Sequence, residues 1–170
     1  MPMMTEHIAY LLLGTNLGNR TENLSKATSA IRMFLGRVEK QSHIYETEPW
    51  GKPHQPVFHN QAIQIVTPCS PLETLHLIKQ VEFLLGRDNT EKWAPRIIDI
   101  DILFYDQYTI ESPVLTIPHP HIAERKFTLE PMMEIAPELI HPVMQKSIAE
   151  LYHTCKDTLE VKTLDLVYQF

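Results

Sequence analysis

The sequence is poor in the residues that mark several large protein classes. Two cysteines in 170 residues, Cys69 and Cys155, cannot build a disulfide framework and match no zinc-ligand spacing. Two thiols suit a reducing compartment. No apolar run approaches the roughly 20 residues of a membrane-spanning helix, so no membrane partner is expected. The start, Met1–His7, lacks a basic segment leading into an apolar one, and does not read as a secretory leader. The cytoplasm is the expected compartment. Basic charge is also scarce: 15 Lys and Arg stand against 21 Asp and Glu, a net charge of −6. A nucleic-acid binder shows a basic balance or stripe, so nucleic acid is not an expected partner. Sustained heptads are missing, and 13 prolines argue further against a coiled coil. What remains is 44% apolar and 21% charged, close to an ordinary folded protein. We expect a single domain over 1–170, with a core large enough to need no staple.

Periodicity orders the elements. Ile8–Leu13 is a short apolar run and predicts a buried strand. Gly14-Thr15-Asn16-Leu17-Gly18-Asn19 reads as the turn after it. Thr21 is positioned to cap a helix carrying Leu24, Ala27, Ile31 and Leu35 at helical spacing, with Gly36 at its end. Val38–Thr47 predicts one strand and Asn60–Thr67 a second beside it. Between them, Glu48–Pro56 holds three prolines and a glycine and must be a loop. Ser70-Pro71-Leu72-Glu73 is a capping box with proline at the first helical position. It opens a stripe of Leu72, Leu75, Ile78, Val81, Leu84 and Leu85. Ile97–Tyr105 predicts a strand, Tyr108–Ile110 a short strand pairing back, and 111–121 a loop. Phe127–Ile135 predicts a helix with a possible break at Pro131, and Ser147–His153 a shorter helix. Val161–Val167 is expected as an edge strand. The first half, strand–helix–strand–strand–helix–strand, is the split β-α-β order of an α+β fold with a ferredoxin-like core. It implies a mainly antiparallel sheet flanked by helices.

The sharpest chemical feature is Asp99-Ile100-Asp101. Residues i and i+2 of a strand share a face, so both carboxylates converge within an apolar run. Two like charges there repel and are costly to desolvate. A hard divalent cation would relieve that cost, and Mg²⁺ commonly takes one or two carboxylates plus phosphate oxygens. The same pair also fits an exposed edge, or ion pairs with neighbouring arginines. Arg87, Lys92, Trp93 and Arg96 lie just upstream, and metal plus guanidinium groups suit a polyphosphate. Pro118-His119-Pro120-His121 makes a poor zinc site; His119 reads better as a contact for an anionic ligand, or as an ordinary loop histidine. Arg125 could hold phosphate or pair with Glu124 or Glu130. Phe127 could stack on a flat ligand or join the core. Phe58 and Asn60 offer a ring beside an amide on one strand face, a grip for a planar heterocycle with polar edges.

Lys92-Trp-Ala-Pro-Arg96-Ile-Ile-Asp99-Ile-Asp101-Ile-Leu103 resembles the signature of the 6-hydroxymethyl-7,8-dihydropterin pyrophosphokinase family. Tyr10–Gly18, Tyr45–Gly51, Phe58-His-Asn60, Val81-Glu82, Leu85-Gly86-Arg87, Ile117–Pro120, Arg125-Lys-Phe127 and Glu134–Glu138 match in order. The resemblance covers roughly 8–142 and leaves 150–170 unassigned. It implies transfer of pyrophosphate from ATP to the pterin hydroxymethyl group, giving AMP, in folate biosynthesis. It implies that Asp99 and Asp101 hold two Mg²⁺ ions. The implied catalytic set is Arg87, Lys92, Arg96, Asp99 and Asp101. The implied ATP contacts are Lys79, Glu82, Arg87, Lys92, Trp93, Arg96, Ile102, Thr116, His119 and Arg125. The implied pterin contacts are Thr47, Glu48, Trp50, Phe58, Asn60, Trp93, Asp99 and Phe127, with Phe58 and Phe127 enclosing the ring. Partners would be the two small-molecule substrates alone, with a stand-alone monomer as the working unit.

The sequence also departs from the family pattern. Lys79 stands where some members carry glutamine, and Lys92 where many carry arginine, which loses bidentate geometry. Asp88-Asn-Thr-Glu91 lacks a basic residue often found there, and Pro120 replaces an occasional aromatic. Two other readings stay open on the residues: a nucleotidyl- or glycosyltransferase with the same Asp-x-Asp device, and a non-catalytic ferredoxin-like binding module.

Overall fold

The structure, a computed structural model, describes residues 3–48, 54–87 and 95–164. Its centre is a sheet in the order β5-β1-β4-β3-β8, with β2 also paired to β4. The strands are β1 (His7–Thr15), β2 (Arg37–Gln41), β3 (Tyr45–Thr47), β4 (Phe58–Thr67), β5 (Asp99–Tyr105) and β8 (Val161–Thr163). All the pairings are antiparallel. A two-stranded ribbon, β6 (Ile110–Glu111) and β7 (Thr116–Ile117), stands apart. Helices α1 (Arg20–Phe34) and α2 (Pro71–Leu84) cover one face, and α3 (Lys126–Ile135) with α4 (Ile148–Thr154) the other. This is the expected α+β order, with helices on both sides.

Alternation along the strands builds two cores. Ala9, Leu11, Leu13, Ile63 and Ile65 point toward α1 and α2, where they meet Leu24, Ala27, Ile31, Ile78 and Val81. Leu12, Ala62, Leu103 and Phe104 point the other way, onto Leu129, Met132, Ile148 and Leu151. Each central strand thus buries both faces, which is why β1 reads as a continuous apolar run rather than an alternating one.

Local differences from the sequence reading have clear causes. Asn19, not Thr21, caps α1, accepting 3.1 Å from the Glu22 amide. The chain expected as one strand over Val38–Thr47 is broken into β2 and β3. Ser42 stitches the gap: its N–H donates to Ala62 O (2.9 Å), its Oγ accepts from Ala62 N (3.0 Å), and its carbonyl accepts from Gln61 Nε2 (2.7 Å). Gly14 and Thr15 belong to β1 rather than to a turn. The back-pairing strand falls at Ile110–Glu111, and its partner, Thr116–Ile117, lies in the stretch expected as loop. Pro131 sits inside α3 without breaking it. The capping box of α2 forms as expected, Ser70 and Glu73 each satisfying the other's backbone amide.

The α2 stripe is only half right. Ile78 and Val81 are buried, but Leu72 is 59% and Leu84 66% exposed, while Thr74 and Glu82 turn inward. Leu11→Ala should therefore cost about 2–5 kcal/mol, whereas Leu72→Ala should change stability by less than about 0.5 kcal/mol. Urea denaturation of both variants checks this; comparable losses would contradict the orientation of α2.

Candidate active site

One register sets the site. Gly14 of β1 lies opposite Asn60 of β4 on one side and opposite Asp99 of β5 on the other. An amide and a carboxylate are thereby held two strand spacings apart, about 10 Å. Phe58 shares a face with Asn60, and Asp101 with Asp99. The start of α3 adds Arg125 and Phe127, and the segment before β4 adds Gln55. These residues line one open cleft of about 660 Å³, together with Leu12, Thr47, Glu48 and Arg96.

The cleft has two unlike halves. One is aromatic and amide-bearing. Asn60 is nearly buried, and its Nδ2 donates to Thr47 Oγ1 at 3.1 Å, which fixes the amide's orientation. A Cβ at residue 14 would lie 2.9 Å from Asn60 Oδ1 and 3.9 Å from the Phe58 ring. Glycine is needed here for close approach, not for a turn. Across the cleft, the Arg125 guanidinium lies 5.6 Å from the Phe127 ring centre.

The other half is charged. Asp99 accepts from Arg87 at 2.8 Å and from Arg96 at 3.0 Å. Arg87 also bonds Glu82, a carboxylate only 2% exposed. Glu82 accepts further from Lys79 Nζ (3.1 Å) and Ile100 N (3.3 Å). Burial and then the charge of Asp99 push the Asp101 carboxyl up to about 7, against the pull of Arg125. His119 moves the other way, down to about 4, because it is buried and stands near Arg125 and His121. It is neutral at pH 7. Its Nδ1 accepts from the His121 amide at 3.2 Å, so the ring proton belongs on Nε2.

The donor set fits a hard divalent cation. Among the described residues no group of three or more His, Cys, Asp or Glu forms a protein-only metal cage. Asp99 and Asp101 supply two carboxylates whose mutual repulsion a cation would relieve, leaving other positions to phosphate and water. Mg²⁺ is bound in that manner.

Of the residues expected from sequence, Thr47, Glu48, Phe58, Asn60, Arg96, Asp99, Asp101, Arg125 and Phe127 share the cleft. Arg87 reaches it through Asp99; Lys79 and Glu82 stand behind Arg87. The His119 amide bonds Leu103 O at 2.9 Å, which lays its loop against β5. Thr116 is exposed on β7. The Ile102 side chain is buried in the core beneath α1 and α2, on the sheet face opposite the carboxylates. Trp50, Lys92 and Trp93 lie outside the described residues.

The sequence reading gave no site role to Leu12, Gly14, Gln55 or Asn16. Asn16 is 1% exposed and works at long range. Its Oδ1 accepts from Arg96 N at 2.9 Å, and its Nδ2 donates to Gln55 Oε1 (3.3 Å) and Pro56 O (3.4 Å). It thereby ties the charged half's approach to the aromatic half's. Only its place in Gly-Thr-Asn-Leu-Gly could have signalled this.

Comparisons with known proteins converge on one group. Residues 10–137 match the family model described as 7,8-dihydro-6-hydroxymethylpterin-pyrophosphokinase. A 2-amino-4-hydroxy-6-hydroxymethyldihydropteridine pyrophosphokinase of Aquifex aeolicus is 41% identical over 83% of this chain and 88% of its own. A Bacillus subtilis protein of the same name is 40% identical over 78% of this chain and 80% of its own. The folic acid synthesis protein fol1 of Schizosaccharomyces pombe is 40% identical over 84% of this chain, but this chain spans only 20% of that protein. Among solved structures, a Plasmodium falciparum HPPK-DHPS variant superposes with a TM-score of 0.75 at 21% identity, covering 90% of this chain and 44% of that one. That likeness concerns the fold.

The raised Asp101 carboxyl has a consequence for stability. Its folded value exceeds the unfolded value of about 4, so the folded protein holds the proton more tightly. The stability that this one carboxyl contributes is greatest below about pH 4 and is lost as pH rises through about 7. With a chelator present, Asp101→Asn should melt above the wild type at about pH 8 and converge on it near pH 4. Thermal melts across pH check this; a constant difference at every pH would contradict it.

Proposed function

This chain belongs to the 7,8-dihydro-6-hydroxymethylpterin-pyrophosphokinase family, and from that premise we propose how its cleft carries out the family's reaction. The pyrophosphoryl group of ATP passes to the hydroxymethyl oxygen of 6-hydroxymethyl-7,8-dihydropterin, releasing AMP, in folate biosynthesis. The observation that carries our assignment of roles is the union of the two halves in one cleft. An aromatic and amide half suits a pterin, and a half with two carboxylates and arginines suits a metal-bound triphosphate.

In this reading Phe58 and Phe127 enclose the pterin ring. Asn60 takes its polar edge, with backbone groups of Thr47, Glu48 and Trp50 beside it. ATP lies over the start of β5. Arg87, Lys92, Arg96, His119 and Arg125 hold its phosphates, and Lys79, Trp93, Thr116 and the Ile102 backbone complete its surroundings. Glu82 acts through Arg87 rather than on the nucleotide. Asp99 and Asp101 would hold two Mg²⁺ ions, which supply charge neutralisation across the phosphate chain when bound.

The pterin hydroxyl oxygen attacks the β-phosphorus. The bond from that phosphorus to the oxygen bridging the α-phosphate breaks, AMP leaves, and the hydroxyl proton is lost. We assign no dedicated base. Rate comes from alignment of the two reacting atoms and from cationic side chains placed where charge moves. Arg87 and Arg96 neutralise Asp99 through direct ion pairs. With nucleotide present, the same guanidinium groups face phosphate oxygens. Two free thiols support the cytoplasm as compartment, and a monomer is taken as the working unit.

Product identity tests the reaction. With ATP, Mg²⁺ and the reduced pterin, AMP should form in step with pterin diphosphate, and should not form when pterin or Mg²⁺ is withheld. ADP would point to ordinary kinase chemistry; binding of ATP without turnover would point to a binding module. Gly14→Ala tests the pocket. Displacing the Asn60 amide should raise the pterin KM about tenfold, the scale of one hydrogen bond, with the ATP KM little changed. An unchanged pterin KM would remove Asn60 from its role.

A further inference from the structure

The segment after α4 lies beyond residues 10–137, the stretch that matches the family. None of its described residues lines the cleft. Yet it touches both structures that carry the pterin half. Asp157 places one carboxylate oxygen 3.0 Å from the Lys126 amide and the other 3.0 Å from the Leu159 amide. Lys126 is the first residue of α3, and Phe127 is the second. That helix has no side-chain cap of its own, since its N-cap position is Arg125. Asp157 supplies the missing acceptor from 31 residues away, with a negative charge of the sign a helix start favours.

From there the chain runs onto β3. Val161, Lys162 and Thr163 pair with Thr47, Glu46 and Tyr45, and Leu164 N donates to Ile44 O at 2.7 Å. Strand β3 has only three residues and is held on its other side by β4, through Thr47↔Phe58 and Tyr45↔Asn60. Without β8 it would be a very short edge strand. It carries Thr47, whose hydroxyl orients Asn60. A second tie runs from β3 to α3, where the Tyr45 hydroxyl donates to Glu134 Oε2 at 2.7 Å.

We propose that residues 157–164 form a strap that sets the width of the pterin half, fixing Phe127 through Asp157 and Thr47 through β8. The inference rests on the pyrophosphokinase reading of the cleft. The strap's residues are positioning residues: they meet no substrate and act through Phe127 and Thr47. The charged half is built on β5, and among the described residues the Asp99–Arg87–Glu82 network there makes no bond to the strap. Loss of the strap should therefore weaken pterin binding selectively.

The test separates the backbone from the side chain at Lys162. The Leu164–Ile44 bond sets the antiparallel alternation, which directs the Lys162 amide toward Glu46. Its side chain is 64% exposed. Lys162→Pro removes that donor, and Lys162→Ala keeps it. Steady-state kinetics with AMP as readout should show the pterin KM of Lys162→Pro raised about tenfold, with the ATP KM and kcat within about twofold of wild type. Lys162→Ala should match wild type. Asp157→Ala should raise the pterin KM in the same way, and Asp157→Asn, which keeps one acceptor oxygen, should recover part of the loss. If Lys162→Pro does not fold, the Asp157 pair carries the test alone. Wild-type pterin KM in folded Lys162→Pro and Asp157→Ala would overturn the strap. So would equal rises in both KM values, since that marks general loosening. Failure of the wild type to make AMP would overturn the reading of the cleft instead, and is seen before any variant is made.

Discussion

Two carboxylates facing the same way from one strand, two residues apart, are the constraint around which this molecule is arranged. Asp99 and Asp101 repel, and Asp101 is deep enough to hold its proton to near neutral pH. Something positive must face them at every stage. That role falls to Arg87 and Arg96 on Asp99 and to Arg125 near Asp101. Arg87 is kept in place by Glu82, a buried carboxylate that would itself be costly without its own three partners. The charged half is therefore a chain of alternating signs running from α2 to β5. Substituting any one link leaves a neighbour exposed to unbalanced charge.

The second constraint is proximity across the sheet. Gly14 lets the Asn60 amide lie over the strand that separates it from Asp99. Asn16, two residues on, bonds the backbone of Arg96 and the segment at Gln55–Pro56. The short run from Gly14 to Asn16 thus holds the two halves of the cleft at a fixed separation. A reaction whose rate depends on aligning an oxygen with a phosphorus needs that kind of rigidity more than it needs a strong base.

Much of this was legible in the residues. Apolar periodicity placed the helices and strands, because each central strand buries both faces and each long helix buries one. The Asp-x-Asp spacing showed a shared face directly. The same alternation, followed one residue further, puts the Ile102 side chain on the opposite face, which leaves its backbone for the contact assigned to it. Asn16 and Gln55 were not readable as site residues, since their roles are hydrogen bonds to distant parts of the chain. The split between β2 and β3 depends on Ser42 finding Gln61 and Ala62. Leu72 and Leu84 fit the helical stripe but fall where no element covers them. The tail's place against β3 and α3 has no local signature either, because Asp157 caps a helix it does not precede.

The central claim is that Asp99 and Asp101 form a metal-dependent seat for the nucleotide. Calorimetric titration of a non-hydrolysable ATP analogue, with and without Mg²⁺, into wild type and an Asp99→Asn/Asp101→Asn double variant tests it most directly. The account predicts that Mg²⁺ strengthens binding to the wild type and leaves binding to the double variant unchanged. Undiminished Mg²⁺-dependent binding by the double variant would contradict it.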